Sequence, residues 1–304
     1  MSKLSQLLSL AELNQTQLAD LLTSALHIKQ NPQQYSQVLA GKSIALLFEK
    51  PSLRTRVSFD VGINKLGGHS VYLDQQNGAM GKRESVADFG SNLACWTDAI
   101  VARVYSQKTL EELALSSKKP VINALSDIYH PCQALADLLT LKEKCGDLSK
   151  VHLAFAGDGN NVCHSLMLGA ALSGMKITVI TPPGFGPCGH VLVQAQNIAA
   201  KTGAEIVLSH HLSAAAGADA IYTDTWLSMG DKADPEIIKQ TFAPYQISTA
   251  VMQRLGVKYF MHCLPAHRGH EVTSEVLDSE ASLVLQQAEN RMHAQNAVLV
   301  SLFS

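Results

Sequence analysis

Two arginines flank a threonine in Ser52-Leu53-Arg54-Thr55-Arg56, which follows the apolar run 43–48 and opens a helical pattern reaching Leu66. Guanidinium groups match phosphate oxygens two at a time, and the unbonded N–H groups of a helix start add further donors. Pro51 suits the first helical turn. The stretch reads as an anion site for phosphate, against the plainer reading of a solvated basic helix start. Arg103 ends a second apolar run, and His130-Pro131-Cys132-Gln133 follows the loop 125–129. Singly, these are an ordinary ion-pair partner and a capping or packed histidine. Together, Arg103, His130 and Gln133 supply cationic and neutral donors plus an amide able to orient a planar carbonyl-and-amino group. That set can polarise an acyl phosphate.

A second group of residues suits an amino acid. Asn161 heads a helical pattern over 162–175 and offers both a donor and an acceptor, or else serves as a helix cap. The preceding Gly157-Asp158-Gly159 resembles a dinucleotide turn only in part, because Val162 or Cys163 stands where the third glycine belongs. No nicotinamide site is read there. Asp224 in Asp224-Thr225-Trp226-Leu227-Ser228-Met229-Gly230 could hold an ammonium group, with Ser228 and the backbone after it beside the substrate. Cys263 in His262-Cys263-Leu264-Pro265 carries little weight alone, since free cysteine is usually a small buried hydrophobe.

These residues share a position: each follows a short apolar run. Runs at 43–48, 70–73, 99–104, 120–124, 151–156, 177–181, 205–209, 220–223 and 259–262 alternate with longer helical patterns. Such alternation predicts α/β architecture with two doubly wound parallel-sheet domains, about four strands before residue 135 and five after 150, joined by the helical pattern 130–144. Amphipathic segments at 10–28 and 288–303 flank them. In open parallel sheets ligands sit beyond the carboxyl ends of the strands, where the residues above are found.

Composition narrows the ligand. With 24 Lys+Arg against 26 Asp+Glu, the 304-residue chain carries a net charge of −2, with 46% apolar residues. That balance excludes a broad electrostatic footprint for duplex nucleic acid or an anionic membrane, so a bound anion should be small. No apolar run approaches the roughly 20 residues of a membrane span, and no secretory signal is visible in residues 1–30, so a cytoplasmic location is expected. The six cysteines, Cys95, Cys132, Cys145, Cys163, Cys188 and Cys263, stand singly, and neither they nor the adjacent histidines have metal-site spacing. No metal or other cofactor is expected.

Taken in order, Ser-x-Arg-Thr-Arg (52–56), His-Pro-Cys-Gln (130–133), Asp-Gly-Asn-Asn (158–161), Asp-x-Trp-x-Ser-Met-Gly (224–230), His-Cys-Leu-Pro (262–265) and Glu-Asn-Arg (289–291) resemble the ornithine carbamoyltransferase family, within the aspartate/ornithine transcarbamoylase superfamily. The likeness runs from about residue 40 to the C-terminus. The first two motifs are common to the superfamily, whereas 224–230 and 262–265 point to the ornithine branch. The resemblance implies an enzyme of arginine biosynthesis that converts carbamoyl phosphate and L-ornithine to L-citrulline and phosphate, built as a homotrimer or multiple of trimers. It implies that Ser52, Leu53, Arg54, Thr55, Arg103, His130, Gln133 and Arg291 hold carbamoyl phosphate, with Cys263 and Leu264 completing the pocket. Asn161, Asp224, Ser228 and Met229 would hold ornithine, and Arg54, Arg103, His130, Gln133, Asp224 and Cys263 would carry catalysis. Arg291 implies that a terminal helix, 286–304, returns to the first domain, 1–135, leaving 150–285 as the ornithine domain.

Two departures from the family stand out. Leu53 replaces a usual threonine, and Ala79 stands where the family places Gln or His, a side chain that reaches the carbamoyl phosphate of a neighbouring subunit. Loss of one charge-assisted hydrogen bond costs about 1.5–3 kcal/mol, for which Lys82 or Arg83 could compensate. A relative acting on putrescine or another amine, and one that keeps the fold for binding or regulation without catalysis, are the alternatives. Asn161 with Ser228 and Met229 favours an α-amino acid, because putrescine has no carboxylate. Asp224 would repel the side chain of aspartate.

Overall fold

The computed structural model describes residues 3–73, 80–81, 84–227 and 233–303. The chain forms two compact units, Met1–Leu139 with Asn290–Ser304, and Thr140–Glu289.

The first unit is built from α1 (Gln15–Gln30), β1 (Ser43–Phe48), α2 (Leu53–Lys65), β2 (His69–Leu73), α3 (Val86–Leu93), β3 (Ala99–Arg103), α4 (Gln107–Ser117) and β4 (Val121–Leu125). Its four strands lie in the order β2-β1-β3-β4, all parallel. The inner strands read as near-continuous apolar runs because both faces are covered: all five residues of β3 and five of the six in β1 are buried. The edge strand β2 is only half-buried. Ala45, Leu47, Ile100, Ala102 and Val121 of the sheet pack with Leu110 and Leu113 of α4 in one core cluster. Each large side chain so buried stabilises by about 1.5–3 kcal/mol.

The partition falls within α5 (Pro131–Cys145) and again within α11 (Val284–Phe303), the last helix. Between them come β5 (His152–Ala156), α6 (Asn161–Ser173), β6 (Lys176–Ile180), α7 (Gly189–Thr202), β7 (Glu205–Ser209), β8 (Ala220–Thr223), α8 (Pro235–Phe242), α9 (Thr249–Leu255), β9 (Tyr259–His262) and α10 (Ser274–Leu277). The second sheet runs β7-β6-β5-β8-β9, again wholly parallel. The predicted fold class therefore holds, strand for strand, with ends displaced by one residue in several places.

One helix differs from expectation. Residues 10–28 are not continuous: a short turn at Leu10–Glu12 precedes α1, and Asn14 starts the helix through a capping box with Gln17. The Asn14 side chain takes the Gln17 N–H while Gln17 takes that of Asn14, which fixes a helix start at that point.

Both sheets reverse direction once. In the first unit the chain leaves β1 for β2 on one side and then adds β3 on the other; in the second it leaves β5 for β6 and later adds β8 on the opposite side. The crevices beyond the β1/β3 and β5/β8 ends are the binding positions of doubly wound folds.

Candidate active site

The first crevice gathers the arginines. Ser52 caps α2, its hydroxyl accepting the Thr55 N–H at 3.3 Å and donating to Thr55 Oγ1 at 3.0 Å. Helix α2 therefore begins at Leu53, and Pro51 lies outside its first turn because the cap belongs to Ser52. Thr55 Oγ1 also accepts Arg291 Nη2–H at 2.8 Å, tying α11 to the start of α2 with both residues buried. Leu53 is 74% exposed, so what it offers an anion is its backbone N–H. Arg54 is half-buried and makes no ion pair among the described residues. Arg56 points elsewhere: its guanidinium lies 3.8 Å from the centre of the Tyr72 ring, a cation–π contact that removes it from the anion group.

Arg103 is the last residue of β3, paired in register with Phe48 of β1, and is buried. Glu49 joins these strand ends, its N–H donating to the Arg103 carbonyl at 2.8 Å and its carboxylate accepting the Tyr105 N–H at 3.0 Å. A tight loop after β4 delivers His130: Ser126 Oγ accepts the Ile128 and Tyr129 N–H groups and donates to Gln107 Oε1 at 2.7 Å. The His130 carbonyl then accepts the Gln133 N–H at 3.1 Å, starting α5. Burial, then the charges of Arg291 and Arg103, hold His130 well below the usual histidine range. It is a neutral imidazole among guanidiniums, with one donor and one acceptor nitrogen. Gln133 is buried in the first turn of α5. The residue before it, Cys132, is structural: its thiol donates to the Asn123 carbonyl at 3.4 Å, and burial pushes it up to about 12.

The second crevice gathers groups for an amine. Gly159 sits where a Cβ would lie 2.4 Å from the backbone of Gly186 and Pro187, so only glycine allows the 157–160 turn to close. The turn ends in Asn160, and this residue rather than Asn161 caps α6, its Oδ1 accepting the Val162 and Cys163 N–H groups at 3.0 and 3.2 Å. Its amide nitrogen donates to Asp224 Oδ2 at 2.9 Å. Asn161 follows as the first helical residue. Asp224 Oδ1 accepts the Cys263 thiol at 3.0 Å and the Thr225 N–H at 2.8 Å. Carboxylate and thiol, from the ends of β8 and β9, thus form one hydrogen-bonded pair.

His262 holds the segment carrying Cys263. Its Nδ1 accepts the Leu264 N–H at 2.8 Å, so the proton sits on Nε2, which faces Glu271 Oε1 at 3.2 Å. Both side chains are fully buried, and Leu264 takes a left-handed φ of 59°. Asp224, His262 and Cys263 bring ligand-type atoms within 4.8 Å of one another. The histidine lone pair is already used on Leu264 N–H, so only a carboxylate and a thiol remain, fewer than a tetrahedral site needs.

The structure thus assembles Ser52, Thr55, Arg103, His130, Gln133 and Arg291 in the first unit and Asn161, Asp224, Cys263 and Leu264 in the second. Ser228 and Met229, like Ala79, Lys82 and Arg83, lie outside the described residues. Asn160 and Glu271 were not singled out by sequence. Asn160 had a local signal, as a cap residue two and three positions before the N–H groups it serves; Glu271 had none, being nine residues from its partner across a loop.

The comparisons with known proteins also find two domains, the second profile extending through terminal residues that the structure groups with the first unit. A family profile for the aspartate/ornithine carbamoyltransferase carbamoyl-P binding domain matches residues 5–143, and one for the Asp/Orn binding domain matches residues 149–302. A protein of Shewanella oneidensis named ornithine carbamoyltransferase is 63% identical over 297 residues, 98% of this chain and 99% of its own length. One from Vibrio sp. strain 2693 is 54% identical over 98% of this chain and 99% of its own. Among solved structures, the ornithine carbamoyltransferase of Pyrococcus furiosus superposes with a TM-score of 0.95 at 43% identity, covering 100% of this chain and 99% of that one. The anabolic enzyme of Campylobacter jejuni gives 0.92 at 33%, covering 98% and 99%. With both profiles matched across nearly the whole length and full-length relatives well above 30% identity, the chain belongs to the aspartate/ornithine carbamoyltransferase family.

Proposed function

We propose that the chain transfers the carbamoyl group of carbamoyl phosphate to the δ-amine of L-ornithine, releasing L-citrulline and phosphate. The observation that carries this reading is the sorting of chemistry between the two crevices: guanidiniums and a neutral imidazole in one, a hydrogen-bonded carboxylate–thiol pair with two asparagines in the other. The names of the relatives support ornithine as the amine.

In this reading Ser52, the Leu53 N–H, Arg54, Thr55, Arg103 and Arg291 take the phosphate and carbonyl oxygens at the start of α2. His130 donates as a neutral imidazole to the carbonyl oxygen, which gains charge as the amine attacks. The δ-nitrogen lone pair forms the C–N bond, a tetrahedral intermediate follows, and the C–O bond to phosphate breaks with its electron pair leaving on phosphate, which carries away the proton shed by the nitrogen. No covalent bond to the protein forms. An alkyl ammonium has a pKa of about 10.4, so presenting it neutral near pH 7 costs roughly 4–5 kcal/mol that the site must offset. Asp224 and Cys263 orient the amine; Asn161, Ser228 and Met229 recognise the α-amino and carboxylate end.

We further propose a place in arginine biosynthesis, a cytoplasmic location and a homotrimer or multiple of trimers. Six free cysteines fit a reducing compartment, and no helix among the described residues is long and apolar enough to cross a membrane. A phosphate-release assay with carbamoyl phosphate and ornithine, putrescine or aspartate tests the substrate: release with ornithine alone is expected, and release only with another amine overturns the assignment. Light scattering reads the assembly against a chain mass of 32.7 kDa.

A further inference from the structure

Gln133 and Asp137 stand one helical turn apart on α5, 1% and 0% exposed, and Gln133 Nε2 donates to Asp137 Oδ1 at 2.8 Å. A side-chain amide presents NH2 on one side and an acceptor oxygen on the other, whereas a carboxylate only accepts. Asp137 can therefore be met only by the NH2, and the Gln133 oxygen is turned the opposite way. That oxygen is buried and has no hydrogen-bond partner among the described residues. Buried acceptors are normally satisfied, and leaving one orphaned is costly. The free oxygen belongs to the residue three positions after His130, whose ring lies within the electrostatic reach of Arg103 and Arg291. It is a buried acceptor in a group otherwise rich in donors, so it favours a donor on the ligand.

We propose that Asp137 is a positioning residue that locks Gln133 as an acceptor, and that this acceptor selects an acyl phosphate bearing N–H on its carbonyl carbon. The inference rests on the carbamoyl phosphate reading, in which the amino group of the donor supplies that N–H. Acetyl phosphate keeps the carbonyl and the phosphate but carries methyl in place of NH2, so it leaves the Gln133 oxygen orphaned. Sites built to hydrogen-bond a substrate N–H reject analogues that lack it far more strongly than apolar pockets reject a missing methylene. Asparagine at 137 can donate as well as accept. In Asp137→Asn the Gln133 amide populates both orientations, and the reversed one sets NH2 against NH2.

Initial-rate kinetics on the full chain give the test: KM for carbamoyl phosphate, and inhibition constants for inorganic phosphate and acetyl phosphate, in wild type, Asp137→Asn, Gln133→Met and the double variant. The expected result is a loss of about tenfold in the preference for carbamoyl over acetyl phosphate in Asp137→Asn. Inhibition by phosphate and acetyl phosphate stays within about twofold, as expected if only the interaction with the amino group is lost. Gln133→Met, close in shape but without an amide, loses the same preference, and adding Asp137→Asn to it changes nothing further. A uniform loss of affinity for all three anions, or a full effect of Asp137→Asn in the Gln133→Met background, overturns the proposal in favour of a structural role. Should Asp137→Asn not fold, Gln133→Met decides alone: an unchanged preference overturns the inference. A wild-type protein that does not turn over carbamoyl phosphate sinks the functional reading itself, an outcome distinct from all of these.

Discussion

At the scale of single residues, the arginines differ in ways that composition does not reveal. Arg54 is half-buried with no ion-pair partner among the described residues, whereas Arg56, two positions on, is spent on the Tyr72 ring. Arg54→Ala and Arg103→Ala are expected to lower kcat/KM by about a hundredfold or more, near 3 kcal/mol of lost transition-state stabilisation, with an unchanged far-UV circular dichroism spectrum. Near-normal turnover in either would contradict the assigned role. Arg56→Ala should leave carbamoyl phosphate KM within a few fold. The cysteines divide as sharply. Cys132 and Cys163 are buried with thiols pushed up by desolvation, Cys132 to about 12, while Cys95 is exposed. At pH 8 the thiolate fraction of Cys132 is only about one in ten thousand. Mass spectrometry after labelling of the native protein should find Cys95 modified and both buried thiols untouched until denaturant is added.

At the scale of elements, strand ends were legible in the sequence and the links between elements were not. Alternating apolar runs matched all nine strands found among the described residues, because inner parallel strands must be apolar on both faces, and the rule that ligands gather beyond their carboxyl ends pointed to Arg103, Asp224 and Cys263. The contacts that position those residues join segments far apart in the chain: Thr55 to Arg291, Asn160 to Asp224, His262 to Glu271. No local pattern encodes them. The assignment of Asn161 as a possible cap missed by one residue, since Asn160 reaches the N–H groups two and three positions ahead. Asn160→Ala should therefore cost about 1 kcal/mol of stability from the lost cap and also raise the ornithine KM, leaving that for carbamoyl phosphate unaltered. Gly159→Ala drives a Cβ into the Gly186–Pro187 backbone, and a drop in stability at the upper end of the usual 1–3 kcal/mol for overpacking should follow in urea melts.

At the scale of the whole molecule, the buried neutral His130 makes folding depend on pH. Above about pH 6.5, the ordinary histidine value, the ring is neutral whether the chain is folded or unfolded, and it contributes no pH slope. Below that value the unfolded chain binds a proton that the folded protein refuses, so stability falls as the medium becomes acidic, by up to about 1.4 kcal/mol per pH unit for one such site. His152, pushed down chiefly by partial burial, acts in the same direction. Urea melts between about pH 7.5 and 5.5 should show this loss, and His130→Gln should flatten the slope by close to one proton; an unchanged slope would mean that His130 is not kept neutral. The first unit is also not a continuous stretch of chain. It draws on Asn290–Ser304, Arg291 holds Thr55, and Leu4 donates to the Ser301 carbonyl at 3.3 Å. During synthesis the ribosome delivers residues 1–139 and then the entire second unit before it makes Arg291. The first crevice, though most of it is encoded first, is the last to be completed, and an unfinished domain of this kind exposes apolar strands that are prone to aggregate.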